Sequence, residues 1–149
     1  MTPSDKCTSL IKRSEGLRLQ AYLCPAGRLT IGFGHTGPDV RPGQVISEQR
    51  AAELLALDTS AAFGSVLSLT AHGTAPLTQG QCDALTDFVF NHGKEALKTS
   101  HLLLHHNAGE YQLAAAEFIK WDHAHVNGKL VEMPGLKARA EAQTALYLS

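Results

Sequence analysis

Residues 15–36, EGLRLQAYLCPAGRLTIGFGHT, constrain the fold more than any other stretch of the chain. Leu17, Leu19, Ala21 and Leu23 recur with a period of two, and so do Leu29, Ile31 and Phe33. That period puts each set on one face of a strand. Pro25-Ala26-Gly27 separates the two runs, so the pattern predicts a small β-hairpin. Gly32 and Gly34 allow the backbone to turn or to approach a neighbour closely. The rest of the chain patterns as helix and loop, which makes the fold class α+β with segregated parts.

A length of 149 residues fits one compact domain, or two lobes around a shared helix. Hydrophobic residues make up 44% and charged residues 18%, an ordinary globular balance. No run of 18 apolar residues exists, so no membrane-spanning helix is expected. The opening MTPSDKCTSLIKRSEG lacks the apolar core of a secretory signal, and accumulation in the cytoplasm of the producing cell is the expectation. Cys7, Cys24 and Cys82 are too few and too scattered for a disulfide framework and should start as thiols. A net charge of −1 gives no basis for binding nucleic acid or anionic membranes.

A helix over 5–14 is predicted, with Ser4 or Asp5 capping its start and Gly16 ending it. Ser47 starts a long helix that runs to about Leu69. Thr78 caps the next, 79–91, with Ala84, Leu85, Phe88 and Val89 buried. Residues 94–106 and 109–119 read as short helices, 122–135 as loop with an Asn127-Gly128 turn and a Pro134-Gly135 stop, and 136–147 as the last helix. A lobe near 1–45 and a helical lobe over 60–149, joined by helix 47–69, leave a cleft between them, where extended substrates bind.

The Glu15–Thr36 block resembles the active-site signature of phage-type lysozymes, glycoside hydrolase family 24. In that family a Glu is followed by eight residues, an Asp, five residues and a Thr. Glu15, position 24 and Thr30 keep this spacing, with Cys24 in place of the Asp. Leu77–Gly93 is similar to a second family block ending in aromatic-Asn-x-Gly. Phe118–Trp121, Met133-Pro134-Gly135-Leu136 and the stretch from Arg139 to Tyr147 are similar to the family's ending. The resemblance implies a lysozyme-like fold over 1–149 as a single catalytic domain. It also implies a monomeric, cofactor-free and metal-free endolysin acting on peptidoglycan. Such an enzyme would need a holin to pass from the host bacterial cytoplasm to the periplasm.

Glycosidic cleavage needs a proton for the leaving oxygen and a second group that stabilises or captures an oxocarbenium-like centre. Glu15 is the candidate acid. At a helix C-terminus the macrodipole works against negative charge, and partial burial acts the same way, which suits a proton-carrying group. Cys24 is open to two readings: a thiol that serves as base or nucleophile, or a bystander beside Thr30 and a water. Thr30 has one hydroxyl that can both donate and accept, which suits holding that water. The resemblance gives Asn91 a sugar contact, although Asn is also common at helix ends. It makes Arg139 the positively charged group paired with Glu15, with Lys137 as competitor, and gives His35 a supporting role in tying down the β-region.

Other readings compete. His101 and His105 stand at i, i+4, with His106, His123 and His125 downstream, the spacing of a zinc site; no HExxH accompanies them, and scattered surface histidines fit as well. A lytic transglycosylase would use the same Glu without a second acid. A non-catalytic wall-binding relic would keep only the fold. Cys7 and Cys24 could also form a redox pair if they lie close together.

Overall fold

Ser4 sets the start of the first helix, its hydroxyl accepting the Lys6 N–H. The helix, α1, runs Asp5–Glu15 and ends on Gly16, whose φ of 70° no other residue adopts easily. The computed structural model describes residues 1–126 and 129–149. Cys7, Leu10 and Ile11 recur at helical spacing and form the buried face of α1, which packs on α3 (Gln79–His92) and on α7 (Pro134–Tyr147). Two buried carboxylates of α3 receive this packing. Asp83 accepts from the Ser4 N–H at 2.8 Å and from the Ser4 hydroxyl, and Asp87 reaches α7.

The predicted hairpin is the first two strands of a three-stranded antiparallel sheet, β1 (Arg18–Leu23), β2 (Leu29–Gly32) and β3 (His35–Thr36). Tyr22 faces Thr30, and Thr30 faces Thr36. A register irregularity between Arg18 and Tyr22 bends β1. At the β1–β2 turn the Gly27 N–H bonds to Cys24 O at 2.8 Å, and the Cys24 N–H to Arg28 O at 3.0 Å. Ile31, Val40 and Leu54 close a small core between this sheet and α2 (Glu48–Thr70).

Helix α2 has 23 residues, and its most apolar 18-residue window has a mean hydropathy of 1.3. It is nevertheless a packed helix. Asp58, at its middle, bonds to His35, and Ala51, Leu55 and Val66 are buried against neighbouring elements. Its N-cap is Ser47, accepting from the Arg50 N–H at 3.0 Å. Thr78 and Gln81 form a reciprocal capping box on α3.

Three sequence expectations change. Residues 94–106 are two helices, α4 (Lys94–Lys98) and α5 (His101–Asn107). Ser100 separates them by donating to Leu97 O at 2.7 Å while accepting the Leu103 N–H. The segment read as 109–119 is α6 (Tyr111–Glu117) continued by a 3-10 turn, Phe118–Trp121. The loop read over 122–135 contains a hairpin, β4 (His123–Val126) with β5 (Lys129–Glu132), and Pro134-Gly135 opens α7 rather than stopping a segment. Proline tolerates the first helical position because its missing N–H would be unpaired there. The Asn127-Gly128 turn and the side chain of His125 lie outside the described residues.

The main core is helical. Leu85, Phe88, Leu97, Leu102 and Phe118 are fully buried within it, and Phe88 meets Phe118 and Trp121 edge to face. Helix α3 is buried almost all round, from Gly80 to Val89.

Candidate active site

Glu15 is the last residue of α1, which carries it to the junction of the sheet and the helical body. Its Oε1 accepts from Arg139 Nη1 at 2.8 Å. Arg139 is buried and is itself held by Asp87 through a two-point contact, Nε to Oδ2 at 3.0 Å and Nη2 to Oδ1 at 2.8 Å. Gln143, one turn later on α7, donates to Asp87 Oδ2 at 2.7 Å. The guanidinium therefore cannot swing freely, and a single fixed N–H is aimed at Glu15. Lys137, the competitor from sequence, instead lies 3.5 Å from Glu132.

Oε1 is occupied by Arg139, and Oε2 has no hydrogen-bond partner among the described residues. It lies over Gly34, where an added Cβ would sit 2.6 Å from it. Gly34 also has φ 74°, so both conformation and space demand glycine here. Glu15, Asn91, Met133, Leu136 and Arg139 line a groove of about 540 Å³ on one side. Gly34, Thr36, Asp58, Phe90 and Lys94 line a smaller one of about 250 Å³. Glu15 lines the first and Gly34 the second, and these two residues are in contact.

Cys24 and Thr30 meet across the β1–β2 turn. The Cys24 thiol pKa is lowered, most by the Arg28 backbone; desolvation opposes this, and the Thr30 hydroxyl and the Ala26 backbone add to the lowering. Thr30 is buried and its hydroxyl donates to Arg28 O at 3.0 Å. Its one proton is committed to that carbonyl, and its lone pairs remain to accept. Cys7 is buried against Ile11 and Leu55, and burial pushes its thiol well above the ordinary range. Cys7 is enclosed in this core while Cys24 stands at the β1–β2 turn, which argues against the suggested Cys7–Cys24 pair.

His35 of β3 stands between two carboxylates. Nδ1 is 2.7 Å from Asp58 Oδ2 on α2, and Nε2 is 2.9 Å from Asp39 Oδ2. Burial works against its charge, but the two carboxylates outweigh burial and raise its pKa. His105 pairs with Glu110 at 3.3 Å and His106 with the Tyr147 hydroxyl at 2.6 Å. Among the described residues no group of three or more His, Cys, Asp or Glu is placed to hold a metal.

Asp87 and Gln143 went unremarked in the sequence. Their signal is periodic: Asp83, Asp87 and Asn91 recur at i, i+4, i+8 on α3, and Arg139 and Gln143 at i, i+4 on α7. Buried polar groups at helical spacing on two packed helices call for each other.

The family model described as phage lysozyme matches residues 12–143. The chain belongs to the phage lysozyme family. It is 46% identical over 146 residues to an endolysin of Acyrthosiphon pisum secondary endosymbiont phage 1, covering 98% of this chain and 97% of that protein. The muramidase domain of SpmX from Asticaccaulis excentricus superposes with a TM-score of 0.88 at 37% identity, over 98% of this chain and 97% of that one. A P22 lysozyme mutant superposes with a TM-score of 0.80 at 36% identity, over 100% and 99%. The fold is lysozyme-like, as the Glu15–Thr36 block implied.

Proposed function

We propose that this phage lysozyme is an endolysin with muramidase activity, hydrolysing the β-1,4 bond between N-acetylmuramic acid and N-acetylglucosamine in peptidoglycan. One observation carries the reading: a carboxyl at a helix end, pinned through Oε1 by a buried arginine, lines a groove with Oε2 unpartnered among the described residues. In this scheme Glu15 gives its proton to the leaving glycosidic oxygen as the C–O bond breaks. Water then adds to the anomeric carbon and loses a proton. Cys24 as thiolate takes that proton or faces the developing positive charge, and Thr30 orients the water through its free lone pairs. Asn91 contacts sugar in the groove beside Glu15. The lowered thiol pKa favours a working Cys24 over a bystander.

In the cell, the enzyme acts as a monomer that reaches the periplasm from the host cytoplasm once a holin opens the membrane, and it lyses the host. The names of the endolysins it matches support this reading. The test is product analysis. Purified Gram-negative sacculi are digested, and the fragments are separated and weighed by mass spectrometry. Reducing N-acetylmuramic ends are the expected product. Anhydro-muramic ends would make the enzyme a transglycosylase, and no release would leave a binding module.

A further inference from the structure

His92 follows Asn91 at the C-terminal end of α3, and its ring is wedged between two aromatic neighbours. The Phe88 centroid lies at 4.7 Å and the Trp121 centroid at 5.1 Å. These contacts fix the ring, so its nitrogens have a set direction. Nε2 lies 3.1 Å from Asn91 Nδ2. Asn91 presents a donor to Nε2, and the matching partner is a neutral imidazole that accepts at Nε2 and carries its proton on Nδ1.

The surroundings agree. Burial pushes His92 down to about 4, the Arg139 cation acts the same way, and the Asp87 carboxylate opposes them weakly. At neutral pH the imidazole is therefore uncharged and keeps one ring nitrogen as an acceptor. Asn91 Oδ1 makes no hydrogen bond among the described residues, and Asn91 lines the Glu15 groove.

We infer that His92 is a positioning residue: its Nε2 holds the Asn91 amide in one of its two flipped orientations, leaving Oδ1 to accept from a donor on the bound sugar. The chemistry selects an N–H or O–H group, and the acetamido N–H of an N-acetylated sugar fits it. This rests on the reading of the Glu15 groove as the sugar site. A free amide would sample both orientations and present Nδ2 part of the time, which weakens binding without touching the proton transfer at Glu15.

The test uses soluble peptidoglycan fragments and a double-mutant cycle. His92→Phe keeps a ring between Phe88 and Trp121 and removes the acceptor. His92→Gln restores an acceptor oxygen. The expected result is an apparent KM raised about fivefold to tenfold in His92→Phe, the worth of one hydrogen bond, with kcat nearly unchanged. Asn91→Ala should raise KM to a similar extent, the double variant should add nothing, and His92→Gln should recover part of the loss. An unchanged KM in His92→Phe, or effects that multiply in the double variant, would overturn the inference. An unchanged KM in Asn91→Ala would instead remove Asn91 from the sugar site, and wild type without product would remove the underlying reading. Should His92→Phe fail to fold, the wild-type protein still decides. In uniformly ¹⁵N-labelled protein, a coupling across the hydrogen bond between Asn91 Nδ2 and His92 Nε2 is expected at neutral pH. A proton found on Nε2 would contradict it.

Discussion

Cys24 differs from the other two thiols in a way that can be read chemically. Its pKa is lowered by the Arg28 backbone and the Thr30 hydroxyl, while burial raises Cys7 strongly and Cys82 to about 11. Cys7 and Cys82 are buried, and Cys24 is half-buried at a turn. Only the thiolate attacks an alkylating agent. Iodoacetamide at neutral pH is therefore expected to label Cys24 alone, with a rate that rises at a lower pH than for an ordinary thiol, and activity should fall in step with labelling. Peptide mapping and residual activity measure this together. Full labelling with full activity would make Cys24 a bystander and leave the second half of the reaction to Thr30 and water.

Among the elements, His35 adds a polar tie between the sheet and α2 to the apolar core they share. The folded pKa of His35 is raised, so its contribution is fully present below the unfolded value of about 6.5 and is lost as pH rises through the folded value. The hydrogen bond from His35 lowers the pKa of Asp39, so the carboxylate's smaller contribution is present above about pH 3.9 and is lost as pH falls through its folded value. His35→Asn should cost most between about pH 4 and 6.5 and least near pH 9, read from urea midpoints. A cost independent of pH would mean that the histidine packs but does not pair.

Element boundaries were legible where a side chain caps its own backbone: Ser4, Ser47 and Thr78 announce α1, α2 and α3 because the local chemistry is complete within four residues. The β4–β5 hairpin was not legible. Every position of β5 is exposed, so no alternation of apolar and polar residues marks it. The break at Ser100 was hidden for another reason, since no Gly or Pro marks it and the polar run Lys98–His101 divides the segment through the Thr99 and Ser100 hydroxyls. In the candidate site, Glu15, Cys24 and Thr30 could be found because they sit in one short block. Asp87 joins Arg139 across 52 residues of chain, and no local pattern pairs them.

At the scale of the molecule, three helices meet at one buried guanidinium. Glu15 of α1, Asp87 of α3 and Arg139 with Gln143 of α7 form a single network, so the geometry of the acid depends on the packing of the helical body. Removing one partner of a buried pair leaves the other charge uncompensated. Asp87→Ala is expected to destabilise the protein by about 3 kcal/mol, measured by urea unfolding, and to lower activity in the fraction that remains folded. A stable, fully active Asp87→Ala would show that Glu15 alone suffices to place Arg139.

The most direct measurement compares wild type with Glu15→Gln on purified peptidoglycan, with thermal unfolding of both proteins recorded alongside. Glutamine keeps an oxygen for Arg139 Nη1 but has no proton to give. The expected result is a loss of at least about 10²-fold in the release of reducing muramic ends, the scale of a missing general acid, with a similar Tm. A Glu15→Gln variant that cuts peptidoglycan at the wild-type rate would contradict the assignment of Glu15 as the acid.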